Sequence, residues 1–208
     1  FKKEHNSIDL SQMEKWSLVN LKRLKGWLPE DRKIKILDAG CGHGNVLHLL
    51  KMAEYVNVTG VDFSKEQIQI AKQINSNVYD EDMFNFLDKS KEKYDLIFAY
   101  DLIEHIKKDR VINLFKAFYD NLSEKGVVIA QLPNSSAPRG MHFQASDLTH
   151  EQFYSPDSIA QLGQYVNNFE KDIKESSLNW DFIQKDLIEN SLAYTQKMNK
   201  EEKINDVH

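Results

Sequence analysis

Ile36-Leu37-Asp38-Ala39-Gly40-Cys41-Gly42-His43-Gly44 is the stretch of this chain best equipped for chemistry. A short apolar run ends in alternating glycines, and a helical pattern follows. A strand that turns through glycine into a helix creates a ligand site at the carboxyl end of a sheet. Glycine lets a ligand come close to the backbone. The helix start offers free N–H groups and positive partial charge. A dinucleotide fingerprint, G-x-G-x-x-G, requires glycine at position 45, where this chain has Asn45. Asp38 stands two residues before the first glycine, where a carboxylate suits an ammonium group rather than a pyrophosphate. Both features disfavour a nicotinamide dehydrogenase. Asp62 lies 22 residues after Gly40, close to where a ribose-binding acid belongs in such a sheet. Its carboxylate can accept hydrogen bonds from both ribose hydroxyls.

A second group of reactive side chains follows the run Tyr94–Tyr100. It reads Asp101-Leu102-Ile103-Glu104-His105 and should line the mouth of the site. His105 has two readings: a general base, since imidazole titrates near neutral pH, or a residue that only shapes the cofactor pocket. A third group sits in 142–156, with Asp147-Leu148-Thr149-His150-Glu151 and Phe153-Tyr154-Ser155-Pro156. A long irregular loop in a compact domain is more often functional than idle. His150 is the second candidate base there, and Asp101, Glu104 and Glu151 are candidate orienters or hydroxyl acceptors. Cys41, between two glycines, reads as a small residue against a ligand and not as a nucleophile. His43 and His48 read as a variable loop residue and a structural one.

These groups need a scaffold, and the pattern supplies one. Residues 8–28 have near-helical apolar spacing. Strand-type runs at Ile34–Leu37, Val56–Val61, Asn77–Asp80, Tyr94–Tyr100 and Gly126–Leu132 alternate with helical patterns at Val46–Ala53, Lys65–Ile74 and Val111–Leu122. Such alternation implies an α/β fold: a doubly wound, mostly parallel sheet with helices on both faces. Ser155-Pro156 is a helix start. Beyond Gly163, Phe169–Lys174 and Ser191–Met198 are the candidate closing strands, with Trp180–Ile188 helical between them. The expected organisation is one domain: an N-terminal helix at 8–28, a ligand-binding core at 33–132, an acceptor loop at 133–154, and a C-terminal helix with closing strands at 155–208.

From about Lys33 to Leu132 the chain resembles the class I S-adenosylmethionine-dependent methyltransferases. Asp38-Ala39-Gly40-Cys41-Gly42-His43-Gly44 is similar to their first motif, and Val61-Asp62-Phe63-Ser64 to their ribose-binding motif. Asp82-Met83 falls where that family holds the adenine. Tyr94–Tyr100 with the following Asp101–Ile106 resembles the fourth motif, and Leu122–Val128 the turn into the fifth strand. The resemblance implies a Rossmann-like sheet with an antiparallel closing strand. It implies S-adenosyl-L-methionine held by Asp38, Gly40, Cys41, Gly42, Asp62, Phe63, Asp82, Met83 and Tyr100. Its methionine end carries both the ammonium and a carboxylate. The 142–156 stretch is similar to a segment of bacterial sugar methyltransferases from capsule and O-antigen pathways. The implied reaction is O-methylation of a sugar hydroxyl in a surface-polysaccharide precursor. His105, His150, Glu104 and Asp101 are then the catalytic group. The alternatives are O-methylation of a quinone precursor or other phenol, and a non-catalytic donor-binding protein. A related acid-x-x-Glu-His pattern binds a divalent metal in quinone-precursor and small-RNA 2′-O-methyltransferases. Those enzymes prefer Glu where this chain has Asp101, so a metal is not favoured.

Composition agrees with a globular protein of this kind. The 208 residues are 41% hydrophobic and 28% charged, with a net charge of -5. An acidic balance argues against a broad nucleic-acid surface, and the partner that the resemblance implies is a small-molecule or sugar-nucleotide acceptor. Cys41 is the single cysteine, so no internal disulfide forms, and a reducing cytoplasm is the expected location. No apolar run approaches the roughly 20 residues that a membrane helix needs.

Overall fold

The computed structural model describes residues 9–137, 139–162, 179–184 and 194–199. Its main sheet has five strands, all parallel, in the order β3-β2-β1-β4-β5. The chain's contacts gather into two units, Phe1–Ser90 and Lys91–His208.

In the first unit, α1 (Leu10–Arg23) starts at Asp9, whose side chain accepts from the Gln12 amide at 3.1 Å. Met13, Ser17 and Asn20 are its buried residues, spaced as one helical face, and α1 lies against α2 (Asn45–Met52). Strands β1 (Lys35–Ala39), β2 (Asn57–Asp62) and β3 (Val78–Asp80) run parallel, with Asp38 opposite Gly60 and Asp62 opposite Asp80. The carboxyl ends of the three strands therefore share one edge. Ser64 caps α3 (Lys65–Ala71), accepting from the Gln67 amide. Asp82 caps α4 (Met83–Lys89), accepting from the Asn85 amide at 3.1 Å. α4 has no counterpart in the sequence reading, where Asp82-Met83 was assigned to the ligand. The same two residues begin a helix whose buried members, Met83 and Leu87, are four apart.

The second unit is built on β4 (Tyr94–Tyr100) and β5 (Leu122–Gln131), joined by α5 (Lys108–Asn121). Leu96–Ala99 and Val127–Ala130 are buried without alternation, as in strands covered on both sides. Leu114, Phe115 and Phe118 of α5 complete this core. A 3-10 turn, Ile103–His105, follows β4. The expected irregular stretch 133–154 contains α6 (Gly140–Ser146). Gly140 is required there, since a Cβ at that position would lie 1.8 Å from the Asn134 carbonyl oxygen. Residues 156–162 are helical, and Ser155 Oγ accepts from the Ser158 amide at 3.2 Å, as the Ser-Pro start implies.

Two expectations for the C-terminal part are corrected. The expected helix Trp180–Ile188 instead begins within strand β6 (Asn179–Gln184), which pairs antiparallel with β7 (Tyr194–Asn199), and β7 overlaps the expected strand Ser191–Met198. Aromatic residues at Trp180 and Phe182, two apart, favour a pleated strand over a helix. This pair is a two-stranded sheet of its own, and among the described residues the five-stranded sheet has no antiparallel closing strand. The expected strand Phe169–Lys174 lies outside the described residues.

Candidate active site

In the first unit the glycine loop is a left-handed backbone path. Gly40, Gly42 and Gly44 have φ of 71°, 51° and 99°, a region that costs other residues roughly 1–2 kcal/mol each. The Gly40 and Cys41 amides both donate to the Val61 carbonyl, at 2.9 and 3.0 Å, which ties the loop to β2. Asp62 completes the tie. Its Oδ2 accepts from the Gly42 amide at 2.9 Å, and its Oδ1 from the Ser64 amide at 2.8 Å. Each carboxylate oxygen keeps a lone pair for a further donor.

Asp38 is buried, and its Oδ2 has no hydrogen-bond partner among the described residues. Burial, reinforced by the Asp62 charge, pushes its carboxyl up to about 8. An orphaned buried oxygen of this kind calls for an added donor, and an ammonium supplies one. Cys41 is buried too, and burial followed by the charges of Asp38 and Asp62 pushes its thiol well above the ordinary range. Burial of this kind favours the neutral thiol, a weak nucleophile. Phe63 leaves its ring 81% exposed beside Asp62, while Met83 is buried. The sequence reading missed Gly60. A Cβ there would meet Val78 Cγ1 at 2.9 Å and Cys41 Sγ at 3.0 Å, so this glycine leaves room for the loop. A glycine inside a strand pattern was the available signal.

In the second unit the ends of β4 and β5 present a polar cluster. Tyr100 is opposite Gln131 in the β4–β5 ladder and sets its ring edge-on to Phe98 at 5.5 Å. Asp101 has a positive φ of 47°, and its amide donates to the Gln131 carbonyl at 2.8 Å. Gln131 Nε2 stands 3.5 Å from Asp101 Oδ1. Asp101 is open to solvent at its edge, yet desolvation by the surrounding protein raises its carboxyl pKa. Glu104 is fully buried, and neither of its carboxylate oxygens has a hydrogen-bond partner among the described residues. Burial first, and the nearby Asp101 second, push it up to about 8. The Glu104 carbonyl accepts from the Glu151 and Gln152 amides at 2.8 and 3.2 Å, so the turn after β4 holds the 147–152 loop.

That loop brings His150 beside His105, with ring centroids 4.8 Å apart. One ligand atom from each of Glu104, His105 and His150 lies within 4.8 Å of the others. A carboxylate with two imidazoles suits a divalent transition metal, and it equally suits proton transfer. Tyr154 is buried nearby, its hydroxyl pushed up to about 12 by burial and then by Glu104. Asp147, Thr149, Gln131 and Gln144 also belong to this cluster and were not singled out as site residues. Their contacts span as many as 44 residues of chain, which no local period reveals.

The chain belongs to the methyltransferase-domain family, whose model matches residues 12–170. Over 84 residues it is 29% identical to the ubiquinone biosynthesis O-methyltransferase of Erwinia tasmaniensis, covering 38% of this chain and 34% of that one. Over 91 residues it is 30% identical to the 27-O-demethylrifamycin SV methyltransferase of Amycolatopsis mediterranei, covering 40% and 34%. The matched stretch thus spans about a third of the length of each relative. A solved SAM-dependent methyltransferase from Archaeoglobus fulgidus shares the fold, with a TM-score of 0.69 at 17% identity over 93% of this chain and all of that one.

Proposed function

We propose that the protein is an S-adenosylmethionine-dependent O-methyltransferase. The observation that carries this reading is the pairing of two kinds of orphaned acid. Asp38, on the glycine loop, lacks a partner that the donor's ammonium would provide. Glu104, beside two imidazoles, lacks partners that an acceptor hydroxyl would provide. Gly40, Cys41 and Gly42 leave room for the methionine end, and Asp62 takes the ribose hydroxyls. Phe63, Asp82, Met83 and Tyr100 complete the donor set.

When bound, the donor supplies an electrophilic methyl group on a sulfonium. The chain's own residues align the acceptor and remove its proton. The acceptor O–H bond breaks, and the proton passes to His105 or His150. The oxygen bonds to the methyl carbon, while the electron pair of the C–S bond goes to sulfur. Asp101 and Glu104 orient the hydroxyl. A divalent ion held by Glu104, His105 and His150 is the alternative use of the same atoms, and it would supply Lewis-acid activation of the acceptor oxygen.

The acceptor is a sugar hydroxyl of a surface-polysaccharide precursor, a reading supported by the polar character of the cluster. A phenolic hydroxyl is the second reading, favoured by the name of the quinone-pathway relative. The whole chain acts as one methyltransferase domain. No described helix is long and apolar enough to cross a membrane, and a cytoplasmic location is proposed with the rest. Incubation with methyl-labelled donor and a panel of nucleotide sugars and catechols tests the reading. Label on a sugar supports the first acceptor, and label on a phenol supports the second. Donor binding without transfer to any acceptor would leave a donor-binding protein and overturn the enzymatic reading.

A further inference from the structure

His105 Nδ1 faces two oxygens of one residue. Thr149 Oγ1 lies 3.0 Å away and the Thr149 carbonyl oxygen 3.2 Å away. The carbonyl can only accept. The hydroxyl has a single proton, and that proton is already committed, because Thr149 Oγ1 donates to Asp147 Oδ1 at 2.6 Å. Asp147 Oδ1 also accepts from the Thr149 amide at 2.8 Å. An oxygen that receives both an amide and a hydroxyl proton is committed as an acceptor. Toward His105 the hydroxyl therefore acts as an acceptor as well. Two acceptors at Nδ1 require Nδ1–H, and a neutral ring then carries its lone pair on Nε2.

Resting on the proposed O-methyl transfer, we infer that Asp147 and Thr149 are positioning residues that lock His105 in its Nδ1–H form and present Nε2 as its basic atom. The chain of contacts is carboxylate, hydroxyl, imidazole, with a threonine placed between acid and base. It orients the ring and fixes which nitrogen accepts a proton, the two duties of a buried acid behind a catalytic imidazole. His150 is held in the same sense by a different atom, since its Nδ1 lies 3.0 Å from the Gln144 carbonyl, which only accepts. His105 thus keeps Nε2 unprotonated when neutral, while His150 Nε2 faces Asp147 Oδ2 at 4.0 Å. Leu148, between the two positioning residues, is 99% exposed and takes no part.

Nitrogen-detected NMR of the full chain tests this, at a pH above the end of the ring titration as read from the same spectra. The His105 resonances are assigned by comparison with His105→Gln. The expected wild-type spectrum shows Nδ1 protonated and Nε2 bare. Thr149→Val and Asp147→Asn should each raise the share of the Nε2–H form. They should lower kcat roughly 10- to 100-fold, part of the usual contribution of a positioned base, while leaving donor affinity unchanged. Thr149→Ser, which keeps the hydroxyl, should restore the wild-type tautomer and most of kcat. A wild-type His105 protonated on Nε2 overturns the inference, as does wild-type kcat in both Thr149→Val and Asp147→Asn. If no acceptor of any class is methylated, the functional reading falls, and the tautomer still decides whether the lock exists.

Discussion

The Gly42 amide donates to Asp62 Oδ2 over 2.9 Å, so the acid proposed to bind the ribose also fixes the glycine loop. Asp62→Ala therefore removes two things, the acceptor for the ribose hydroxyls and the anchor of the loop. Affinity for S-adenosylmethionine and S-adenosylhomocysteine should fall about 5- to 150-fold, the equivalent of about 1–3 kcal/mol for a lost buried hydrogen bond. Titration calorimetry reads this directly. Unchanged affinity would remove Asp62 from the donor site.

Asp38, pushed up to about 8, is mostly protonated in the free protein at pH 7. Pairing with an ammonium requires its carboxylate, so donor binding should release a proton. Affinity should rise with pH up to about 8 and level off above it. Calorimetry in two buffers of different ionisation heat measures the released proton. Identical heats in both would mean that Asp38 does not meet the ammonium.

The same shift has a cost in stability. A raised acid binds its proton in the folded state where the unfolded chain has lost it, so stability falls with rising pH across that window. For Asp38 and Glu104 the window opens near 3.8 and 4.5 and closes near 8. Asp38→Asn and Glu104→Gln should raise the unliganded Tm at pH 8.5, by about 2–4 °C for each kcal/mol relieved. The gain should shrink toward pH 5. A gain independent of pH would assign it to packing instead. Both variants should lose methyl transfer.

Gly60→Ala should weaken donor binding several-fold with a modest loss of stability, because the added methyl presses on Cys41 Sγ at 3.0 Å. Gly40→Ala acts through the backbone, whose φ of 71° costs an alanine about 1–2 kcal/mol. Thermal unfolding and donor titration separate the two. Gly60→Ala with wild-type affinity would show that the loop has slack.

His105→Ala should lower kcat about 100- to 10,000-fold and hardly change donor affinity. If Glu104, His105 and His150 work through a divalent ion instead, a chelator should abolish activity and added magnesium or manganese should restore it. Activity that survives both the chelator and the loss of either histidine would leave alignment alone as the source of rate and favour a phenol as acceptor.

The glycine loop and Asp62, the proposed donor half of the site, were legible as a strand–turn–helix pattern because that information is local. Asp38, the glycines and Asp62 sit on consecutive strands, and their spacing follows from strand and helix lengths. Asp82 was read only as a ligand contact, and its role as a helix cap hid α4. The acceptor half was named residue by residue, but its wiring was out of reach. Thr149 meets His105 across 44 residues, and the turn at Glu104 holds Glu151 and Gln152 through backbone atoms that carry no sequence signature. The stretch from Trp180 misled for a different reason, whereas Ser191–Met198 was read as a strand and overlaps β7. Short apolar runs fit helix and strand alike, and only the pairing of β6 with β7 decides between them.

The clasp at Glu104 has an evolutionary consequence. The Glu104 carbonyl takes the Glu151 and Gln152 amides, and no side chain is needed to close it. Side chains at Leu148, Glu151 and Gln152 can therefore change without unfastening the loop, unless proline replaces Glu151 or Gln152 and deletes a donor. Asp147, Thr149 and His150 are different, because their side chains make the contacts to His105 and to each other. The fastening of the loop and the contacts of its polar side chains are thereby open to change at separate positions.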